Sequence, residues 1–440
     1  MIGQSSIDNV TDVWPTLSEV VRTLTLRAGY NTTIVIVAAT LLGVAGGIVG
    51  SFTLLRKRSL MADALSHATL PGICLAFIIA VMLGMSGRSL PVLLLGAAVT
   101  GVIGIVLITL IIRHTRLTED AAIGVVLSVF FGAGIVLLSY IQVMPTGTQG
   151  GISRFIYGQT AAMSRGDAIL MGSIAIVAVV AATILMKEFA VVCFNDDYAL
   201  AIGWPVVIID LLMMTLVVLV TVAGLQAVGL ILVIAMLIIP PAAARFWTER
   251  LRTMVIVAGL IGALSGYAGA ATSSLLPRKP AGAVIVIVAG SIFALSMLLA
   301  PRRGVIAVAA RRLSLRLTIA MDHFVKALHY RLLDRPDGVA LAEVARARAW
   351  SMPTAWLLML VARRRGLIER AVDGLRLTAA GRREAARVDR NHRLWEQYLI
   401  SHADIAPSHV DWSADLVEHV LSPEIIERLE RVVRANGAPS

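Results

Sequence analysis

Cysteine is nearly absent from this 440-residue chain. Cys74 sits within an apolar run and Cys193 in a loop, too few and too far apart for a disulfide framework or a thiolate metal site. Charge is scarce as well: charged residues make up 15% of the chain against 58% hydrophobic ones, a balance too apolar for a soluble globule of this length. No Gly-x-x-x-x-Gly-Lys-[Ser/Thr] loop occurs, which excludes the usual cradle for ATP phosphates. The first 30 residues are mixed and polar, with Asp8 and Asp12. They lack a short apolar stretch ending in a small-residue cleavage site, so no cleaved signal peptide is expected.

What is present is a series of apolar runs of about 20 residues, the length needed to cross a hydrocarbon core of about 30 Å. The runs predict about nine spans, near 33–55, 62–84, 90–112, 119–142, 168–186, 205–224, 228–244, 254–273 and 281–300. An odd count puts the termini on opposite sides. Loops after spans one, three, five and seven carry Arg56, Lys57, Arg58, Arg113, Arg116, Lys187, Arg245, Arg250 and Arg252, whereas the alternate loops carry Arg88, Arg154, Arg165, Arg278 and Lys279. By the positive-inside rule the richer set is cytoplasmic. The expectation is a multi-pass inner-membrane protein with its N-terminus outside and a cytoplasmic C-terminal domain. Most of the net charge of +11 falls after residue 301, and it bears first on topology rather than on nucleic acid.

Several in-membrane features need nothing beyond packing. Gly43, Gly46, Gly47 and Gly50 have the small-residue spacing that lets helices approach closely. Asp210 and Gln226 are more telling, because a polar group near a span needs a partner or a wet cavity; Asp210 either contacts a transported solute or lies near a helix end. Sharper still are Asp63 and His67, four residues apart at the start of span two, where a helix puts carboxylate and imidazole on one face. That pair suits a divalent cation, with the Ser66 hydroxyl beside it and Pro71-Gly72 one turn later, where a backbone break would expose carbonyl oxygens. A structural ion pair between helices fits the same spacing.

The stretch Leu60-Met61-Ala62-Asp63-Ala64-Leu65-Ser66-His67-Ala68-Thr69-Leu70-Pro71-Gly72 resembles the signature of permeases in zinc, manganese and iron ABC importers. Thr118-Glu119-Asp120-Ala121-Ala122-Ile123-Gly124, Ala201-Ile202-Gly203, Gln226 to Val233, Pro240-Pro241-Ala242-Ala243-Ala244, Ser265-Gly266-Tyr267 and Pro280-Ala281-Gly282-Ala283 follow in that family's order, over roughly residues 30–300. The resemblance implies a non-enzymatic transport subunit with three kinds of partner. These are a separate ATPase, an extracytoplasmic metal-binding protein, and a second permease subunit or second copy of this chain. It makes Asp63 and His67 the in-membrane metal contacts. The ATPase would dock around Arg245–Arg252 or around Asn195–Gly203.

The remainder reads as a soluble tail. A basic amphipathic connector over 302–316 could lie on anionic membrane lipid. Helices near 318–333, 340–348 and 352–365 are followed by a hairpin from Gly366–Arg370 to Leu375–Thr378 turning at Asp373-Gly374, a winged helix-turn-helix pattern. A small dimerisation or docking module is the rival reading, since the reading helix holds Trp356, Leu357, Leu358, Met359 and Leu360. His392 and Glu396 share one helical face, as do Asp415, Glu418 and His419 on the next; imidazoles with carboxylates and no thiolate suit Mn²⁺ or Fe²⁺, and Zn²⁺ would also bind.

This tail resembles the iron- and manganese-dependent repressors of the diphtheria-toxin-repressor type over about 318–432, with Asn391 to Glu396 and Val417 to Ser422 at that family's spacing. The resemblance implies that His392, Glu396, Asp415, Glu418 and His419 form a metal sensor. Asp411 falls where some members have histidine, and Asp415 falls where the iron type often has cysteine, which leans toward manganese.

The fold expected is therefore an all-α polytopic membrane bundle followed by a cytoplasmic winged helix-turn-helix and a helical metal-binding and dimerisation domain. The expected divisions are an extracytoplasmic segment at 1–30, a permease domain at 31–300, a connector at 301–317, a winged helix at 318–380 and a sensor at 381–435. The function expected is the permease of an ATP-driven importer for a divalent transition metal, Mn²⁺ foremost, with Fe²⁺ and Zn²⁺ as alternatives. An ion channel and a membrane-tethered metal-responsive transcription regulator are the competing classes. Tethering to nine spans argues against nucleic-acid binding, although the helix-turn-helix alone would allow it.

Overall fold

The computed structural model describes residues 15–56, 58–85, 89–144, 164–228, 230–276, 280–402, 424–427, 429 and 431. It divides into two units, 1–307 and 308–440.

In the first unit a short helix α1 (Leu17–Leu24) precedes α2 (Tyr30–Leu55), α3 (Ser59–Ala68), α4 (Leu70–Met82), α5 (Leu90–His114) and α6 (Glu119–Val143). Then come α7 (Arg165–Ile184), α8 (Met186–Phe194), α9 (Asp196–Ala201), α10 (Val206–Val228), α11 (Leu230–Trp247), α12 (Leu251–Leu275) and α13 (Ala281–Leu299). Among the described residues eight helical segments are long and apolar enough to cross a membrane, α3 and α4 counting together as one over Met61–Met82. The apolar part of α11, Val233–Trp247, is shorter and fills the place of the ninth expected span.

These helices are apolar all round, so sequence periodicity does not say which face lipid. Burial does. The spans in α2, α3–α4, α10 and α12 are 56–72% buried, whereas those in α5, α6, α7 and α13 are 22–33% buried. The first group forms the core, with Phe52 and Phe77 fully enclosed and Phe189 of α8 packed edge-on against Phe52, and the second group shields it.

At the centre of the core is α2, and its glycines explain how. A Cβ on Gly43 or Gly47 would sit 2.1 or 2.2 Å from the carbonyl oxygens of Gly262 and Ala258 on α12. On another face, a Cβ on Gly46 or Gly50 would sit 3.0 or 1.9 Å from the carbonyl oxygens of Met236 and Leu237 on α11. Those two carbonyls are special, because Pro240 and Pro241 lie inside α11 and remove the N–H groups that would have bonded to them. The Pro-Pro pair thus leaves two oxygens aimed at a backbone that only glycine lets close enough for Cα–H contacts.

The second unit comprises the later part of a 30-residue helix α14 (Val305–Asp334), then α15 (Leu341–Ala347), α16 (Met352–Arg364), β1 (Ile368–Ala371), β2 (Gly374–Leu377) and α17 (Ala379–His402). The basic stretch expected as a connector falls largely within α14. β1 and β2 pair antiparallel from Ile368↔Leu377 to Ala371↔Gly374, so the turn is Val372-Asp373, one residue earlier than expected. Gly374 has φ 143° and approaches Val339, which bridges to Leu375 and extends the wing. Phe324, Leu328, Val344, Leu358, Ile368 and Leu377 form the core. On α16 the buried side is Ala355, Leu358 and Ala362, while Trp356 and Leu357 are exposed. α17 is tied to α14 by a hydrogen bond from the Tyr330 hydroxyl to Asp389. Burial raises the Asp389 carboxyl, but that bond together with Arg393 and Lys326 holds it below the usual carboxylate range.

The α2–α11 contact predicts that Gly50→Ala destabilises the bundle by about 1–3 kcal/mol, whereas Gly290→Ala, where an added Cβ meets nothing within 4 Å, leaves it unchanged. Thermal unfolding of the two variants in detergent measures this; equal melting temperatures would contradict the packing described.

Candidate functional site

Helix α3 begins one residue after Arg58 and carries both Asp63 and His67. The i,i+4 spacing brings His67 Nε2 to 3.6 Å from Asp63 Oδ1. The Asp63 side chain is 45% exposed and that of His67 23%, so the pair borders open space on its carboxylate side. The ring of His67 stands edge-on to Phe131 of α6 at 5.1 Å, and its buried Nδ1 has no hydrogen-bond partner. Ser66 does not join the pair: its hydroxyl donates to the Asp63 carbonyl at 2.7 Å and the residue is buried. The backbone does not open at Pro71-Gly72: Thr69, between α3 and α4, keeps helical dihedrals, and its hydroxyl donates to the Ser66 carbonyl at 2.6 Å. Pro71 lacks an N–H, so it leaves the His67 carbonyl without its helical donor. Gly72 is there for close packing, since a Cβ on it would lie 2.1 Å from the Gly96 carbonyl oxygen of α5.

Six residues separate His67 from the start of the span at Met61, which is roughly 9 Å of helix rise. That end of the bundle is closed by an ion-pair knot. Arg56 bonds Asp196 at the start of α9, the Val192 carbonyl at 3.0 Å, and Asp210 of α10 at 3.2 Å. Arg58 bonds the other oxygen of Asp210 and pairs with Glu119 at the start of α6. Side chains of Arg56, Arg58 and Asp210 are 13–15% exposed, so these charges are held mostly by one another. Beside the knot lies a cleft of about 230 Å³ that Met61, Thr109 and Arg113 also line.

Asp210 is therefore engaged by two arginines near the start of its helix, the structural alternative raised for it. Arg56 and Arg58 were legible only as topology markers; their partners lie 154 and 152 residues away and no local pattern announces them.

In the tail, His392 is buried on α17 beside buried Asn391. The side chain of Glu396, and Asp411, Asp415, Glu418 and His419 entirely, lie outside the described residues. Among the described residues no three His, Cys, Asp or Glu side chains converge as a metal cage.

A bundle of apolar spans with a carboxylate–imidazole pair inside one of them, joined in sequence to a winged-helix tail, defines a multi-pass membrane transport protein. The profile of the ABC 3 transport family matches residues 30–300, and the chain belongs to that family. The profile of the iron dependent repressor metal binding and dimerisation domain matches residues 378–435. The manganese transport system membrane protein MntC of Bacillus subtilis is 38% identical over 409 residues, 92% of each chain, so the likeness extends into the tail. The zinc transport system membrane protein TroC of Treponema pallidum is 38% identical over 281 residues, 64% of this chain and 93% of that one. Among solved structures, PsaBC from Streptococcus pneumoniae in complex with Fab aligns with a TM-score of 0.56 at 30% identity, covering 66% of this chain and 98% of that chain.

The knot predicts non-additive mutant energetics. Arg58→Ala, which strips Asp210 of a partner, costs about 2–3 kcal/mol, and Arg58→Ala with Asp210→Ala costs less than the sum of the single changes. Thermal unfolding of the four forms tests this, and strict additivity would show that the pair does not interact.

Proposed function

We propose that this chain is the permease of an ATP-driven importer of a divalent transition metal, Mn²⁺ foremost, in the cell's inner membrane with its tail in the cytoplasm. The observation that carries the reading is the Asp63–His67 pair, a carboxylate and an imidazole 3.6 Å apart inside a span of a transport-family member. Two protein ligands hold a cation loosely, which suits a carrier that must both bind and release. Manganese is favoured over zinc because the relative that matches nearly the whole chain is a manganese transport protein and because a carboxylate-rich tail without thiolates fits manganese.

A separate ATPase would dock on α9, whose Tyr198 and Leu200 are exposed and followed by exposed Ile202, outside any apolar span. Asp196 in that helix pairs with Arg56, so a push on α9 would reach the start of α3 through the knot. An extracytoplasmic binding protein would deliver the metal on the opposite side, and a second copy or related subunit would complete the pathway. In the tail, His392, Glu396, Asp415, Glu418 and His419, with Asp411 nearby in sequence, would form a sensor that slows uptake when cytoplasmic metal is plentiful. Exposed Trp356 and Leu357 on the reading helix favour a protein contact over DNA there.

The test is uptake of radioactive manganese and zinc into vesicles holding this chain with its ATPase and binding protein. Manganese should enter only with ATP, and Asp63→Ala should lower entry by tenfold or more, about 1.4 kcal/mol. Loading vesicles internally with manganese should slow the wild type but not His392→Ala/Glu418→Ala. Preference for zinc would overturn the metal assignment, ATP-independent flux would mean a channel, and equal slowing of the tail variant would remove the sensor.

A further inference from the structure

Away from α3 and its ion-pair knot, three spans end around one cleft. The end of α11, the start of α12 and the segment just after α13 surround a space of about 420 Å³ lined by Arg245, Trp247, Thr248, Arg250, Arg302 and Arg303. Glu249 is the one acidic residue in the lining, and it pairs with Arg303 at 2.9 Å. Four guanidinium groups and a single carboxylate thus line one cleft of the bundle.

The fold concentrates them deliberately. Gly304 is buried in a turn tight enough that a Cβ there would sit 2.4 Å from the Ala300 carbonyl oxygen, and its amide donates to that oxygen at 2.8 Å. The turn folds Arg302 and Arg303 back toward the Thr248–Arg250 loop, as the Arg303–Glu249 pair records across 54 residues of chain. Phe246 sets the floor, edge-on to Phe293 of α13 at 5.8 Å.

We propose that this cleft holds the phosphate of an anionic phospholipid. All four cations are arginines, whose planar forks match phosphate oxygens bidentately where lysine would act as a point charge. The cleft stands at the ends of spans, at the depth of the headgroups, and half-exposed Trp247 is the amphipathic residue that settles at that layer. Leu298 and Leu299 just before the cleft, and Ile256 within two turns after it, are exposed apolar residues against which acyl chains can lie. Inorganic phosphate would satisfy the arginines but leave that surface unused. Basic pockets between spans are the setting in which such headgroups are held.

The experiment uses the full chain in nanodiscs of phosphatidylcholine doped with phosphatidylglycerol. Lipid retained by the protein is read by native mass spectrometry, and a photo-crosslinking phosphatidylglycerol is mapped on the wild type. Arg245→Gln/Arg250→Gln/Arg302→Gln should retain about tenfold less phosphatidylglycerol than a control with three cations removed elsewhere, Arg27→Gln/Arg116→Gln/Lys187→Gln. In the wild type the crosslink should fall on peptides holding residues 245–253 and 302–303, a readout that does not depend on the variants folding. Equal retention by the two variants, or crosslinks elsewhere, would overturn the proposal. So would displacement of the lipid by millimolar inorganic phosphate, which would make the cleft a site for a free anion, or by the ATPase subunit, which would make it a protein-docking surface.

Discussion

Two carbonyl oxygens with no helical donor hold this bundle in register. Pro240 and Pro241 free the carbonyls of Met236 and Leu237, and Gly46 and Gly50 of α2 come close enough to cover them. Inside a membrane there is no hydrophobic force between helices, so backbone approach of this kind must supply much of the association. Because α2 is pinned there and by Gly43 and Gly47 against α12, the place where it ends is fixed. At that end Arg56 and Arg58 meet Asp196, Asp210 and Glu119, and α3 starts immediately after. The Asp63–His67 pair thus inherits its position from glycines and prolines that never touch it.

The same chain of dependence separates a strong structural site from the pair proposed to meet the metal. At the knot Asp210 is held by both arginines, and all three side chains are only 13–15% exposed, so its carboxylate is committed to the protein's own cations. The pair on α3 has one half-exposed carboxylate and one imidazole with an unpartnered buried nitrogen, which as metal ligands would be an incomplete set. Incompleteness is what a transport site needs, because a full cage would keep its cargo. A full set of ligands would belong to the tail, where a regulator gains from holding metal long enough to respond.

Much of this was legible in the sequence because membrane spans announce themselves by length and apolarity, and the soluble tail by the return of charge. The nine apolar runs correspond to eight long spans and one short apolar helix among the described residues, and the short one is where prolines interrupt the ladder. The wing was legible because Asp373-Gly374 marks a turn; its placement slipped by one residue because Gly374 closes the strand pair instead of forming the loop. What remained hidden were long-range partners. Nothing near Asp210 in sequence indicates Arg58, and nothing near Ser66 says that its hydroxyl turns to the backbone. Helical spacing placed Asp63 and His67 on one face but could not say that Phe131 would close one side of the imidazole.

Contact of Asp63 and His67 with the transported metal is tested most directly by pulsed electron paramagnetic resonance of Mn²⁺ bound to the purified full chain. In a background where His392 and His419 are replaced by glutamine, so that the two imidazoles proposed for the tail sensor contribute nothing, nitrogen modulation from one imidazole is expected, disappearing in His67→Gln and weakening with lowered occupancy in Asp63→Asn. Modulation that persists unchanged in His67→Gln, or none in the background protein at saturating manganese, would contradict it.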